Sequence, residues 1–371
     1  MIHDEIAEVL KRWVVFRGVA PGASACVASF REGGWRVASG AAGVHSSSDT
    51  RPVVPETIYD LASLTKPVIA ALTARLVRSG AFGWRDPLGS LLEAARGTAS
   101  EAAPLELLAS HRAGLEAHLR LGAGAQGPSP EARGWLRSCA NARRAECRTE
   151  LPAEGFAPVY SDLGYILLGS ALTSADAAGL EASLEREVSV PCGLELLSAA
   201  SFCERIGSAA FLARVAPTEL VPARGGELRG VVHDDNAWEL TGSGLSGHAG
   251  LFGTARAVAG FGMTMLDALS GSNPDWLTRA EAELLVRPRP GGSLRAGFDG
   301  KAAANSAAGP CFGPRAFGHL GFTGTSVWCD PEAMVVVVFL TNRVSPSRDN
   351  ILIRDVRPDV HGELFGLAAG L

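Results

Sequence analysis

The chain has 371 residues, 47% of them hydrophobic and 20% charged, with a formal net charge of −5 at pH 7. That profile describes an ordinary soluble globular protein with one large domain or two intimate ones, and excludes a small disulfide-stapled scaffold or a disordered chain. The slight negative balance gives no electrostatic reason to expect nucleic acid or an anionic membrane as a partner.

The opening stretch MIHDEIAEVLKRWVVF carries Asp4, Glu5 and Glu8 where a secretion signal has positive charge and then a continuous apolar run. Ile2, Ile6, Val9, Leu10 and Trp13 fall at helical spacing, which predicts an amphipathic helix. ASACVASF, the turn REGG and WRVASGAAG then read as a β-hairpin, and ETIYDLAS as a short extended piece. A helix is predicted from about Ser63. Pro67 then falls in its first turn, where the missing N–H would have no partner anyway, and Ser79-Gly80 ends it. Leu64, Val68, Leu72, Leu76 and Val77 give this helix one apolar face. From there to about Met265, helical patterns alternate with Gly/Pro/Ser loops, and those around 121–133 and 216–229 carry no pattern that converts to shape.

The end of the chain returns to strands: FGHLGFTGTSVWCD, a turn at Asp330-Pro331-Glu332, then AMVVVVFLTN, apolar enough to be buried on both faces. A helix beyond Pro358 closes the chain. Strands at both ends with helices between predict an α/β fold of the α+β kind, an antiparallel sheet flanked by N- and C-terminal helices plus a helical domain. The expected division is 1–62 with 248–371 for the sheet domain and 63–247 for the mainly helical one, the active site lying at their interface. Seven scattered cysteines, odd in number and without CxxC spacing, fit reduced thiols in a cytoplasm. No apolar run approaches the length that spans a bilayer.

Only Lys11, Lys66 and Lys301 are lysines; every other basic side chain is arginine. Lys66 stands three residues after Ser63, on the same face of the predicted helix, so its amine can reach the serine oxygen. Ser63 sits at the positive end of the helix dipole, where backbone N–H groups can support a developing anion. Serine needs an adjacent proton acceptor to become a nucleophile, and lysine can serve where arginine cannot release its proton. The S-x-x-K motif alone is weak, since a cap serine beside a lysine that reaches solvent looks the same.

Two further stretches join it: PVYSDLGYILLGSAL with Tyr160 and Asp162 ahead of a helical run, and FGHLGFTGTSVWCDPE with His319, Gly321 and Thr323 on a late strand. Ser63-Leu64-Thr65-Lys66, Tyr160-Ser161-Asp162 and His319-Leu320-Gly321 resemble, in order, the S-x-x-K, Y-x-N and K/H-x-G elements of the serine β-lactamase and penicillin-binding-protein superfamily. The similarity is greatest to its class C β-lactamase-like branch, which includes esterases and D-amino-acid peptidases. LELLASHRAGL, VVHDDNA and SGHAGLFGTA resemble stretches of the same branch, so the likeness covers roughly 22–344. It implies a β-lactamase/transpeptidase-like fold and an acyl-enzyme on Ser63, with Lys66 and Tyr160 sharing the proton traffic. It also implies an oxyanion hole from the N–H groups of Ser63 and Phe322, no cofactor or metal, and a small-molecule or short peptide substrate. Tyr160 needs a neighbouring cation to lower its pKa if it is to act as base.

Two departures bear on substrate. Asp162 replaces the family's asparagine; close to Lys66 it would favour the ammonium, casting Lys66 as the electrostatic partner of Tyr160. His319 replaces the lysine of the β-lactamase pattern, and a neutral imidazole anchors a carboxylate less firmly. Both favour an ester, amide or D-amino-acid peptide over a penicillin. The alternatives are a β-lactamase or DD-carboxypeptidase, or a non-catalytic binding or assembly protein on the same fold. His233, Asp234, Asp235 and His248 could suggest zinc, but read better as a loop that ties the cleft wall together. His111 reads as a loop brace, Cys311 and Cys329 as buried small groups, and Gly321 and Gly324 as room for close substrate approach. Nothing in the residues specifies an oligomeric state.

Overall fold

Glu32 and Gly33, both at positive φ (50° and 82°), join β1 (Gly22–Arg31) to β2 (Gly34–Gly43). This left-handed pair matches the twist of the flanking strands, and the hairpin runs in register from Gly22↔Gly43 to Arg31↔Gly34. The computed structural model describes residues 2–122 and 132–371, so most of the 121–133 loop lies outside the described residues. Four two-residue strands follow, β3 (Tyr59–Asp60), β4 (Leu220–Val221), β5 (Gly226–Glu227) and β6 (Phe252–Gly253), pairing β3 with β6 and β4 with β5. The 216–229 stretch thus forms a small hairpin. The late strands are β7 (Asp299–Gly300), β8 (Phe317–Leu320), β9 (Ser326–Asp330) and β10 (Val335–Thr341). They join the hairpin in one antiparallel sheet of order β2-β1-β10-β9-β8-β7, so the two ends of the chain share a sheet as expected.

Strand β10 is buried on both faces. Val335, Val337 and Phe339 meet Ile6, Leu10, Val356 and Leu364 of the terminal helices (Ile2–Leu10 and Ile353–Ala369). Val336, Val338 and Leu340 face the other way, into the main core that includes the Ala255–Ser270 helix. Each such side chain contributes about 1.5–3 kcal/mol when fully buried, which is why this strand alternates nothing and stays apolar throughout. The C-terminal helix starts at Ile353, earlier than the start beyond Pro358 read from the sequence. Pro358 falls in its second turn, where the loss is one N–H bond to the carbonyl four residues back.

The helix carrying the S-x-x-K motif spans Thr65–Arg78, with Pro67 in its first turn. Its burial exceeds the single apolar face expected: every residue from Thr65 to Ala74 is buried, Lys66 included. The helix runs through the middle of the main core and touches the Asp162–Ala175 and Arg279–Val286 helices, and only its last turn, with Arg75, Val77 and Arg78, reaches solvent. Among the described residues, no single helix is long and apolar enough to cross a membrane.

Candidate active site

Ser63 lies in a short 3-10 turn (Ala62–Leu64) at the head of the Thr65–Arg78 helix. Ala62 before it sits at φ 48°, in the left-handed region that an alanine enters at a cost of about 1 kcal/mol or more. Asp60 holds it there. One carboxylate oxygen accepts the Ala62 N–H at 2.8 Å and the other accepts the His233 N–H at 2.7 Å. The turn brings Ser63 to a cleft of about 650 Å³ whose walls also include Tyr160, Asp162, His319, Gly321 and Phe322.

Lys66 makes a three-armed contact at the cleft floor. Its Nζ donates to Ser63 Oγ at 3.0 Å, to Asp162 Oδ1 at 2.7 Å and to the His248 carbonyl at 3.2 Å. An ammonium has three protons, and here each has an acceptor. The His248 carbonyl comes this near because Gly247 and Gly169 lie backbone against backbone; a Cβ on Gly247 would overlap the Tyr165 carbonyl. The Tyr160 ring stands 4.9 Å from the same ammonium. Asp162 opens the Asp162–Ala175 helix, whose N-cap Ser161 accepts the Gly164 N–H, so the dipole also favours its negative charge.

Burial works against the Lys66 charge, but the Asp162 carboxylate and Tyr160 outweigh it and raise the ammonium above the ordinary lysine range. Burial works against the Asp162 charge as well; Lys66, with His118 assisting at 3.6 Å, reverses it and holds the carboxyl well below the usual range. Tyr160 behaves otherwise than expected. Burial raises its phenol and the Lys66 charge offsets that only in part, because the Asp162 carboxylate in the same contact opposes it. The hydroxyl therefore stays protonated at neutral pH. Burial first and the Lys66 charge second push both His111 and His319 down to about 3, so both imidazoles are neutral. His111 accepts the Ser161 N–H at 3.0 Å and lies 4.8 Å from the Tyr160 ring, bracing that loop from below.

His319 stands on β8, but Gly321, Phe322 and Thr323 lie in the turn between β8 and β9, not on a strand as expected. The strand stops because the Gly321 N–H closes back on the Thr325 carbonyl at 2.7 Å. A Cβ on Gly321 would overlap Thr325 Oγ1 and the Leu61 carbonyl, so this glycine permits the turn to approach the Ser63 segment. Thr323 is buried and donates to the Asp60 carbonyl at 2.8 Å; it braces the turn and does not face a substrate. The Phe322 ring is half exposed, 5.6 Å from the His233 ring and 4.6 Å from the Arg343 guanidinium. Its backbone N–H has no acceptor among the described residues.

The polar residues of the VVHDDNA and SGHAG stretches turn to separate partners. His233 Nε2 meets Glu219 at 2.9 Å, His248 Nε2 meets Asp234 at 2.8 Å, and Asp235 lies 3.5 Å from Arg224. Cys329 is buried on β9, whereas Cys311 is exposed, contrary to expectation. Among the residues at the site that escaped the sequence reading are Asp60, His118 and Arg357. None belongs to a motif, and each reaches the site through a fold-level contact.

Asp162→Asn tests the Lys66 contact. Removing the carboxylate lowers the ammonium's pKa, so the alkaline limb of the kcat/KM profile is expected to move down by at least about one pH unit. A gain of activity on the acid side would instead make Lys66 a free-amine base.

A family model described as Beta-lactamase matches residues 7–360. N-acetylmuramyl-L-alanine amidase of Bacillus subtilis (strain 168) is 27% identical over 316 residues, 77% of this chain and 68% of that protein. Other curated relatives, from Salmonella strains, match over 53% of their own length, so the chain spans about half of them. The structure of a D-amino acid amidase from Ochrobactrum anthropi SV3, complexed with L-phenylalanine amide, superposes with a TM-score of 0.70 at 18% identity, covering 99% of this chain and 98% of that one. EstCE1, a hydrolase with promiscuous acyltransferase activity, superposes with a TM-score of 0.69 at 20% identity over 96% and 98% of the two chains. At these identities the structural likeness is one of fold.

Proposed function

The chain belongs to the Beta-lactamase family of serine hydrolases, and we propose that it cleaves an ester or amide, including one in a D-amino-acid peptide, through an acyl-enzyme on Ser63. The observation that carries this reading is the Lys66 ammonium, saturated by Ser63, Asp162 and the His248 carbonyl beside a protonated Tyr160. With both bases protonated at rest, neither can simply remove the serine proton. Ser63 Oγ attacks the carbonyl carbon while its proton passes to the Tyr160 oxygen, and the phenol's own proton goes to the leaving oxygen or nitrogen. Lys66 remains an ammonium and supports the developing alkoxide. The N–H groups of Ser63 and Phe322 receive the tetrahedral oxyanion, which collapses with loss of the leaving group; water then repeats the sequence on the acyl-serine.

Arg343, Arg348 and Arg354 line the cleft, but so do Asp162, Asp234, Asp235 and Asp299, so the wall carries both signs of charge and no charge is proposed for the substrate. An amide-cleaving relative, the amidase of Bacillus subtilis, supports the amide side of the proposal. The same reading keeps the division of 1–62 with 248–371 against 63–247, since Ser63 opens one part and His319 lies in the other. Seven free thiols favour a reducing compartment, and the cytoplasm is the proposed location.

A fluorophosphonate is expected to add one adduct mass to the intact protein, with Ser63 as the labelled residue. Among substrates, p-nitrophenyl esters and D-amino-acid amides are expected to turn over faster than nitrocefin. Absence of any adduct would sink the acyl-enzyme; rapid nitrocefin turnover, or release of D-alanine from D-Ala-D-Ala peptides, would select a β-lactamase or DD-carboxypeptidase.

A further inference from the structure

Arg357 is buried in the C-terminal helix, yet the charges that act on it are those of two more cations, Arg343 and Arg354. Burial and these like charges lower its guanidinium to about 10. Its Nε has no hydrogen-bond partner, and its Nη2 donates to two backbone carbonyls, Gly321 and Thr325, each at 3.2 Å. A buried cation held by carbonyls and faced by like charges is expensive, and a helix gains nothing in packing from it that a Met or Leu would not supply.

The position of one of those carbonyls gives the cost a purpose. The Gly321 oxygen belongs to the peptide unit whose other end is the Phe322 N–H, the group with no acceptor at the cleft. A peptide unit is a dipole with its negative end at oxygen and its positive end at the N–H. A cation fixed on the oxygen draws density toward that end and leaves the N–H more positive, as in any polarised hydrogen-bond chain. We propose that Arg357 is a positioning residue of the oxyanion site, holding and polarising the Gly321–Phe322 peptide so that the Phe322 N–H binds the tetrahedral oxyanion more tightly. The inference rests on Ser63 being the nucleophile.

Among the described residues, Arg357 has no counter-charge in the resting protein. The oxyanion supplies one, and only while the tetrahedral species exists, so the interaction strengthens on the way to the transition state and accelerates the step. Arg357 also lines the cleft, and a contact with a substrate carboxylate would predict a different dependence. An oxyanion role acts on uncharged esters and on kcat. A carboxylate-binding role acts on KM, and only for charged substrates.

The test compares Arg357→Gln and Arg357→Lys in the full chain, with p-nitrophenyl acetate, mono-p-nitrophenyl succinate and phenylboronic acid as probes. The boronic acid adds to Ser63 Oγ and forms a tetrahedral anion. For Arg357→Gln, kcat on the acetate is expected to fall about tenfold, with KM within about twofold and boronate affinity weakened in parallel. The Gln variant is expected to unfold at the parent's temperature or above it, because it no longer buries an unpaired charge. Arg357→Lys, which keeps the charge, is expected to stay within about threefold of parent kcat. An unchanged kcat in Arg357→Gln, or a loss confined to KM for the succinate, overturns the proposal. If the Gln variant does not fold, Arg357→Lys decides: a tenfold loss of acetate kcat in a folded protein overturns it. If the parent itself neither hydrolyses the acetate nor takes a fluorophosphonate adduct, the Ser63 reading fails first.

Discussion

Ser63→Ala is expected to lower turnover of any ester or amide by on the order of 10⁴-fold or more and to abolish the fluorophosphonate adduct. Ser63 sits partly exposed at the cleft and its oxygen accepts from the buried Lys66 ammonium, so a water entering from the cleft can take its place as acceptor. Thermal unfolding of the variant is expected to match the parent. Residual hydrolysis above the uncatalysed rate would come from the oxyanion site alone, and labelling that persisted would place the nucleophile elsewhere.

Lys66→Met is expected to reduce turnover by about a thousandfold and also to destabilise the protein, by about 3 kcal/mol. Here the two losses have separate causes. The activity loss comes from removing the cation beside Ser63 Oγ and Tyr160. The stability loss comes from stranding Asp162, whose side chain is only 21% exposed and whose strongest partner is Lys66 at 2.7 Å. Adding Asp162→Asn removes that stranded charge. The double variant is therefore expected to recover most of the unfolding temperature and none of the turnover, read by calorimetry and by p-nitrophenyl ester hydrolysis. Joint recovery of both would mean that Lys66 acts only as a structural ion-pair partner.

The three sequence motifs that meet at the cleft were legible before the fold because each is local: Lys66 follows Ser63 by three residues, Asp162 follows Tyr160 at a helix start, and Gly321 follows His319 at a strand end. The Asp162–Lys66 contact could also be anticipated, since motif order implied it and the structure has it. Other features are tertiary. Tyr160 stays protonated because burial and Asp162 together oppose Lys66, a balance that depends on what surrounds the ring in space. The Thr65–Arg78 helix is buried all round from Thr65 to Ala74 because other helices pack against it, although its own apolar pattern showed one face. Thr323 and Gly321 belong to a turn because of a bond from Gly321 to Thr325. Arg357 looked like one basic residue among many in an arginine-rich chain. His118 belongs to no motif, and only the fold brings it within 3.6 Å of Asp162.

The hydrogen bond that the His233 N–H donates to Asp60 ties the serine turn to a distant part of the chain. Asp60 accepts the N–H of Ala62, whose backbone is left-handed, and on its other oxygen accepts the N–H of a residue 173 positions later in the chain. The conformation of the turn that carries Ser63 is thus tied to a contact between distant stretches of the chain.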